Sequence, residues 1–308
     1  MTQFDLAIAW NWEFDKDYIH GLESECTRRG LSVYEVRPDN LHEILEQLQT
    51  GRIGFKIFYD RASDADEAFF PLLKLLASPA MRVINPHHLV AHAVDKATMH
   101  LEFITSGLFV PTTIILSPYH QKHDIAITQT DLQQLGMPFV IKPANTTGGG
   151  TGVVLDARSI DEVSSERMVH PDDKYLLQAF IKPKVLDGKR AWFRVYSVFH
   201  EIILCWWDDI THEYTELTSE EEKAYALGGL REAIQKIRQI CELDFFSSEV
   251  ALANDGKFVV VDYVNEICDM RLKSKYPNGA PDNVVHAIQR LVADAVLSKV
   301  NHQGEVTS

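Results

Sequence analysis

The sequence predicts an α/β protein: an N-terminal parallel α/β domain followed by two α+β lobes. Three observations predict it. Short apolar runs alternate with helical patterns over residues 4–84, the signature of a parallel sheet. A Gly- and Thr-rich loop then separates two strand-like segments near the middle of the chain. Further on, two apolar runs are joined through Asn254-Asp255-Gly256-Lys257, a hairpin signal.

The elements follow from periodicity and punctuation. Residues 4–10 form an apolar run that suits a buried strand. A helical pattern over 17–29 stops at Gly30. Strand 31–36, helix 41–49 (ended by Gly51), strand 55–59, helix 67–76 and strand 82–84 complete the first domain, which Asn85-Pro86 closes. Helix 95–106 stops at Gly107, and Pro111 precedes strand 112–116. Strand 139–143 ends at Pro143. The glycine loop, strand 152–155 and strand 175–181 come next, then a polar hinge at 182–188. Runs 192–199 and 201–207 read as a hairpin turning near His200. A long helix is expected over 220–241, strands over 248–253 and 258–264, and a closing helix over 282–299. Residues 301–308 are polar and expected to fray.

Composition narrows the function. The 308 residues are 45% hydrophobic and 24% charged, as in an ordinary soluble domain. Net charge is −14 with no basic run, which argues against a nucleic-acid footprint. Cys26, Cys205, Cys241 and Cys268 lack metal or CxxC spacing and read as buried or free thiols. Residues 1–5 lack the basic start of a signal peptide, and no apolar stretch reaches membrane length. A cytoplasmic protein without membrane or nucleic-acid partners is expected, and a homodimer is left open.

The strongest local signal runs from Ile141-Lys142-Pro143 through Thr146-Thr147-Gly148-Gly149-Gly150-Thr151-Gly152. Glycines let backbone N–H groups approach phosphate oxygens, threonines add donors, and a lysine adds a point charge. No Gly-Lys-Ser/Thr follows, so this is not a Walker loop. A plain surface turn is the alternative.

A second signal is a pair of acids. If Asp255-Gly256 is a two-residue turn with Asn254 opposite Lys257, Glu249 faces Asp262, with Cβ atoms about 4.5–5.5 Å apart. Like charges opposed on apolar strands need compensation, and Mg²⁺ prefers carboxylates plus substrate phosphates. The alternative is a salt bridge to one acid while the other faces water. Asn265 lies three residues past Asp262, on the opposite face of a regular strand, so a bulge or a strand end must intervene for it to join them.

In their order and spacing these parts resemble the ATP-grasp superfamily over residues 85–299. The carriers are Asp95-Lys96, Gly107 to Thr112, Phe139 to Pro143 with the glycine loop, Leu176 to Ile181, and Val261 to Asn265. The flavour is closest to D-alanine–D-alanine ligase and the ribosomal-protein glutamate ligases. The resemblance implies an N-terminal pre-ATP-grasp domain (1–88), an N-terminal lobe (89–182), a C-terminal lobe with the metal site (183–300) and a tail (301–308). It implies ATP and Mg²⁺ as cofactors, and ligation of small-molecule or peptide carboxylate and amine substrates. Lys96 and Lys142 would contact ATP phosphates, and Gly148, Gly149 and Gly150 would fold over them. The backbone of Ala179, Phe180 and Ile181 would hold adenine, with Gln178 beside it. Glu249, Asp262 and Asn265 would bind Mg²⁺. Arg194 matches the family's arginine near the transferred phosphoryl group.

Three departures stand out: Gln178 replaces a hinge Glu, Trp192-Phe193-Arg194 lacks an Asp, and Asp262-Tyr263-Val264-Asn265 is one residue longer than Glu-x-Asn. Arg271, in the cationic stretch after Cys268, is a second candidate catalytic arginine. The loop Trp10 to Asp15 is a candidate acceptor site or an apolar clamp. His87, His88, His92 and His100 lack an HExxH arrangement and read as surface or core histidines. The rival readings are a small-molecule kinase on the same fold and a non-catalytic nucleotide-binding module.

Overall fold

The computed structural model describes residues 1–77, 81–146 and 152–305. The first domain contains β1 (Thr2–Trp10), α1 (Lys16–Arg28), β2 (Val33–Val36), α2 (Leu41–Gln49), β3 (Ile53–Arg61), α3 (Phe70–Leu76) and β4 (Arg82–Ile84). The strands are all parallel, in the order β2-β1-β3-β4. Apolar residues fill both faces of β1 because both faces are covered. Leu6 and Ile8 pack with α1, while Ala7 and Ala9 pack with α2 and α3.

The next stretch holds α4 (His87–Ala93), α5 (Lys96–Thr105), β5 (Thr113–Leu116), α6 (Gln129–Leu135), β6 (Phe139–Pro143), β7 (Val154–Ala157), α7 (Ile160–Arg167) and β8 (Tyr175–Ala179). Strands in the order β5-β8-β6-β7 pair antiparallel and bury one face under α6 and α7. The remainder holds β9 (Val185–Leu186), β10 (Lys189–Arg190), β11 (Trp192–Val198), β12 (Glu201–Trp207), β13 (Tyr214–Glu216), α8 (Ser219–Ala224), α9 (Gly228–Cys241), β14 (Phe245–Leu252), β15 (Phe258–Asn265) and α10 (Asp282–Glu305). Its antiparallel sheet runs β13-β12-β11-β14-β15. Among the described residues, no helix is long and apolar enough to cross a membrane.

Several expectations change. The single helix expected over 220–241 is two helices. A capping box between Thr218 and Glu221 starts α8, and Ala226 turns left-handed at φ 54° before α9 begins. The first turn of α9 is pressed onto β15: a Cβ on Gly229 would lie 2.3 Å from the Phe258 ring. The hinge at 182–188 contains half of a small hairpin, β9 with β10. The closing helix runs on to Glu305, past the expected start of fraying at 301.

Packing crosses the sequence boundaries. Ala93, Ala97, Met99 and Phe103, from α4 and α5, share a core with the five-stranded sheet rather than with β5–β8. The other face of that sheet, through Tyr196, Val198 and Phe245, shares a core with β1, β3, α1 and α10. The five-stranded sheet is therefore covered on one side by helices and on the other by the first domain.

Two polar ties fix that second contact. At the end of β3, Arg61 donates from Nε and Nη2 to Asp15, at 2.8 and 2.7 Å. Its Nη2 also reaches the carbonyl of Cys268 at 2.9 Å. Both side chains of the pair are almost fully enclosed. Asn85 trades hydrogen bonds with the backbone of Phe245 in both directions. Removing one partner of a buried ion pair leaves an uncompensated charge, so Asp15→Ala should lower unfolding free energy by about 3–5 kcal/mol. Urea denaturation followed by circular dichroism checks this.

Candidate active site

The site is built from the β14–β15 hairpin and two lysines. The hairpin does not turn as expected. Ala253 N donates to Lys257 O, leaving Asn254, Asp255 and Gly256 (φ 86°) as a three-residue turn. That register pairs Leu252 with Phe258 and Val250 with Val260, one residue off the expected alignment. A register shift at Val261 then restores the opposition, and Glu249 pairs with Asp262. A second shift before Asn265 puts that residue opposite Ser247 and turns it toward the acids. Asn265 Nδ2 donates to Asp262 Oδ2 at 2.8 Å. The parity problem is thus solved by an extra residue in β15.

The same irregularity recruits the first lysine. A bulge frees a carbonyl from the ladder, and Lys142 Nζ donates to Val261 O at 3.0 Å. Lys142 lies on β6, so this bond spans the two lobes. Lys142 is only 6% exposed, and burial pulls its ammonium down to about 8, against support from Asp262 and with further opposition from Lys96. Lys96 opens α5, where the Asp95 carboxylate caps Ala97 N and Thr98 N. Its own backbone N–H binds Ala144 O just past β6. Burial raises Asp262, but the charges of Lys96, Lys142 and Arg194 outweigh it and hold the carboxyl below its usual value.

Arg194 and Glu249 sit opposite each other on β11 and β14. Arg194 Nη2 lies 2.6 Å from Glu249 Oε1, and Trp192 Nε1 donates to Glu249 Oε2 at 3.0 Å. Arg194, Glu249 and Asp262 therefore stand abreast on three neighbouring strands. Half of the alternative reading is realised: Glu249 has its salt bridge. Asp262, however, faces cations from both lobes rather than open water. Arg194 Nε is enclosed without a partner among the described residues, and the guanidinium lies 5.1 Å from the Trp207 ring. Glu266, after Asn265, is pushed up to about 7 by burial and by Asp64.

Among the described residues no three His, Cys, Asp or Glu side chains form a preformed metal cage. Two opposed carboxylates and an amide still fit Mg²⁺, a hard cation that takes few protein oxygens and completes its shell with water and phosphates.

At the hinge, Gln178 points inward. Its Nε2 donates to Thr113 Oγ1 at 3.0 Å and to Tyr263 OH at 2.9 Å. Tyr263 OH in turn lies 2.6 Å from His100 Nδ1, an imidazole that burial holds down near 4. The backbone N–H of Ala179 is engaged by Thr112 O, while Phe180 follows exposed at the strand end. Gly148, Gly149 and Gly150 lie outside the described residues; Asn145 and Thr146, leading toward them, both donate from the backbone to Asp173. Sequence reasoning missed Trp192, Tyr263, His100 and Thr113, whose polar atoms meet only through the fold. Arg271 is clasped by Asp269 and three aromatic rings. His92 pairs with Glu102. A cavity of about 550 Å³ at the far end of β11 has its cations already paired, Lys299 with Asp244 and Arg238 with Phe199 O.

Neither a protein-family model nor a curated protein matches the chain. Solved structures do. A RimK-domain ATP-grasp protein from Sphaerobacter thermophilus is 19% identical, with a TM-score of 0.65 over 94% of this chain and 98% of that one. The ATP-grasp ligase PsnB, solved with a minimal precursor, Mg and ADP, is 14% identical, with a TM-score of 0.62 over 96% and 98%. A macrocyclase from Microcystis aeruginosa, solved with its precursor peptide, is 12% identical, with a TM-score of 0.62 over 94% and 99%. The chain has the ATP-grasp fold.

The buried ammonium gives a pH signature. A lysine lowered from 10.5 to about 8 costs stability in its charged form below pH 8, and that cost disappears as pH rises toward 10.5. Phosphate beside it should restore the proton. ATP binding at about pH 9 should therefore take up protons, seen by calorimetry in buffers of different ionisation enthalpy. Lys142→Ala should abolish the uptake and weaken ATP about 10- to 150-fold.

Proposed function

We infer that this chain is an ATP- and Mg²⁺-dependent ligase that activates a carboxylate as an acyl phosphate for attack by an amine or a thiol. The observation that carries this reading is the ion row: Arg194, Glu249 and Asp262 abreast on β11, β14 and β15, met by Lys142 and Lys96 from β6 and α5. In the proposed reaction the γ-phosphoryl group passes to a carboxylate oxygen and ADP leaves. The nucleophile then attacks the acyl carbon, phosphate departs, and the surplus amine or thiol proton goes to solvent.

Lys142 and Lys96 would bind the phosphates. Ala179 to Ile181, with Gln178, would border the base. Arg194 would offset charge on the transferring group from its place beside Glu249 in the ion row. Glu249, Asp262 and Asn265 would hold Mg²⁺, which when bound would supply charge neutralisation for phosphoryl transfer. A solved neighbour described as an ATP-grasp ligase, with a minimal precursor, Mg and ADP, and another described as a macrocyclase, with its precursor peptide, support this substrate class. The kinase reading has less support, because two of the three cations after Cys268 are engaged: Lys275 by Asp17 and Lys273 by the Tyr214 carbonyl.

Incubation with ATP, Mg²⁺, hydroxylamine and a panel of amino acids and dipeptides tests the reading, with ADP release and hydroxamate detected together. A hydroxamate is expected; a stable phosphate on a hydroxyl would establish a kinase instead. Arg194→Lys should lower kcat about 10²- to 10³-fold while largely keeping ATP affinity.

A further inference from the structure

Two loops meet where the carboxyl ends of β1 and β3 open toward the five-stranded sheet, the place where open α/β sheets take ligands. The first follows β1 and carries Trp12 and Phe14. The second follows β15 and carries Asp269, Arg271 and Tyr276. The Arg271 guanidinium carbon lies 5.5, 5.9 and 5.6 Å from the ring centres of Trp12, Phe14 and Tyr276. Phe14 braces both other rings, at 5.3 Å from Trp12 and 5.4 Å from Tyr276.

Asp269 accepts from Nε and Nη2 of Arg271, and so fixes the fork by one edge. Nη1 has no hydrogen-bond partner among the described residues, and the side chain remains 19% exposed. Trp12 is 38% exposed. A guanidinium gripped along one edge presents its other edge as a ready bidentate donor, which matches a carboxylate in shape and charge. The rings beside it offer a rigid apolar wall.

This cluster is tied to the strand that carries Asp262 and Asn265. Arg61 binds both Asp15 of the first loop and Cys268 O of the second, so one buried cation sets their spacing. Burial raises the Tyr214 hydroxyl, which lies within electrostatic reach of Arg194 and Glu249 as well as Asp269. Six residues of chain from Asn265 to Arg271 span at most about 20 Å.

We propose that Arg271, Trp12, Phe14 and Tyr276 form the substrate-recognition pocket, and that it takes an amino acid or peptide C-terminus: the carboxylate on the free edge of Arg271, an apolar or aromatic side chain against the rings. This rests on the ligase reading and names its substrate class. It moves Arg271 from the transferring phosphoryl group to the substrate.

Calorimetry on the full chain with Mg²⁺ and a non-hydrolysable ATP analogue tests it, using L-phenylalanine, glycyl-L-phenylalanine, L-alanine and L-phenylalaninamide. One of the two phenylalanine carboxylates should bind, with the amide about 10- to 100-fold weaker for want of the charge-assisted bonds. L-alanine should also bind more weakly than L-phenylalanine. Trp12→Ala should erase the preference for phenylalanine over alanine. Arg271→Lys should weaken the carboxylates and leave the amide unchanged. Tyr276→Phe, which keeps the ring, should bind like the wild type, and melting curves establish that each variant is folded; Tyr276→Ala replaces Trp12→Ala if that chain is not.

Two results overturn the proposal: no probe binds to folded protein that holds the nucleotide, or the preferences survive both substitutions. Failure of the ligase reading looks different, with the probes bound as described but no hydroxamate trapped.

Discussion

The arrangement rests on a guanidinium removed from water. Arg61 sits at the end of a parallel strand, where its charge would be intolerable without Asp15, and it donates further to Cys268 O. Because an unpaired charge there is so costly, the loop after β1 and the segment after β15 have little freedom to move apart. One segment belongs to the first domain and the other continues the strand carrying Asp262 and Asn265. A single buried ion pair thereby couples the parallel domain to the carboxylates of the five-stranded sheet.

The second constraint is the irregularity of β15. A regular strand continuing the register of the turn would set Glu249 opposite Val261, and would send Asp262 and Asn265 to opposite faces. The extra residues bring Asp262, then Asn265, round to Glu249, and they expose Val261 O for Lys142. Like charges so close are tolerable because cations flank them on both sides: Arg194 holds Glu249, while Lys142 and Lys96 act on Asp262. Three elements of the fold must converge to keep that balance, which ties the four-stranded antiparallel sheet to the five-stranded one.

Much of this was legible in the chain. Alternating strands and helices announced the parallel domain, and the spacing of Lys96, Lys142, Glu249, Asp262 and Asn265 announced the lobes. The structure brings those five residues within reach of one another, with Arg194 beside them. The opposition of Glu249 to Asp262 was legible for a reason that did not hold: the turn has three residues rather than two, and a compensating bulge recovers the pairing. Other features were illegible. Helix periodicity ran through residues 225–227, yet the chain breaks there, since a left-handed alanine leaves no periodic signature. The setting of Arg271 was illegible too: Asp269 orients it, and Trp12 and Phe14, from the other end of the chain, lie against it.

The sequence by itself determined what local chemistry encodes: which segments pair or coil, where a Gly- and Thr-rich stretch and the lysine before it fall, and which acids lie on apolar strands. Those properties depend on neighbours within a few residues. Tertiary structure alone decided which charges meet. That Glu249 meets Arg194, that Gln178 turns toward Tyr263, and that Arg271 lies among aromatic rings depend on partners brought together by the fold. Electrostatic energy in a low-dielectric interior is set by distances of a few ångströms between such groups, and sequence separation does not fix those distances.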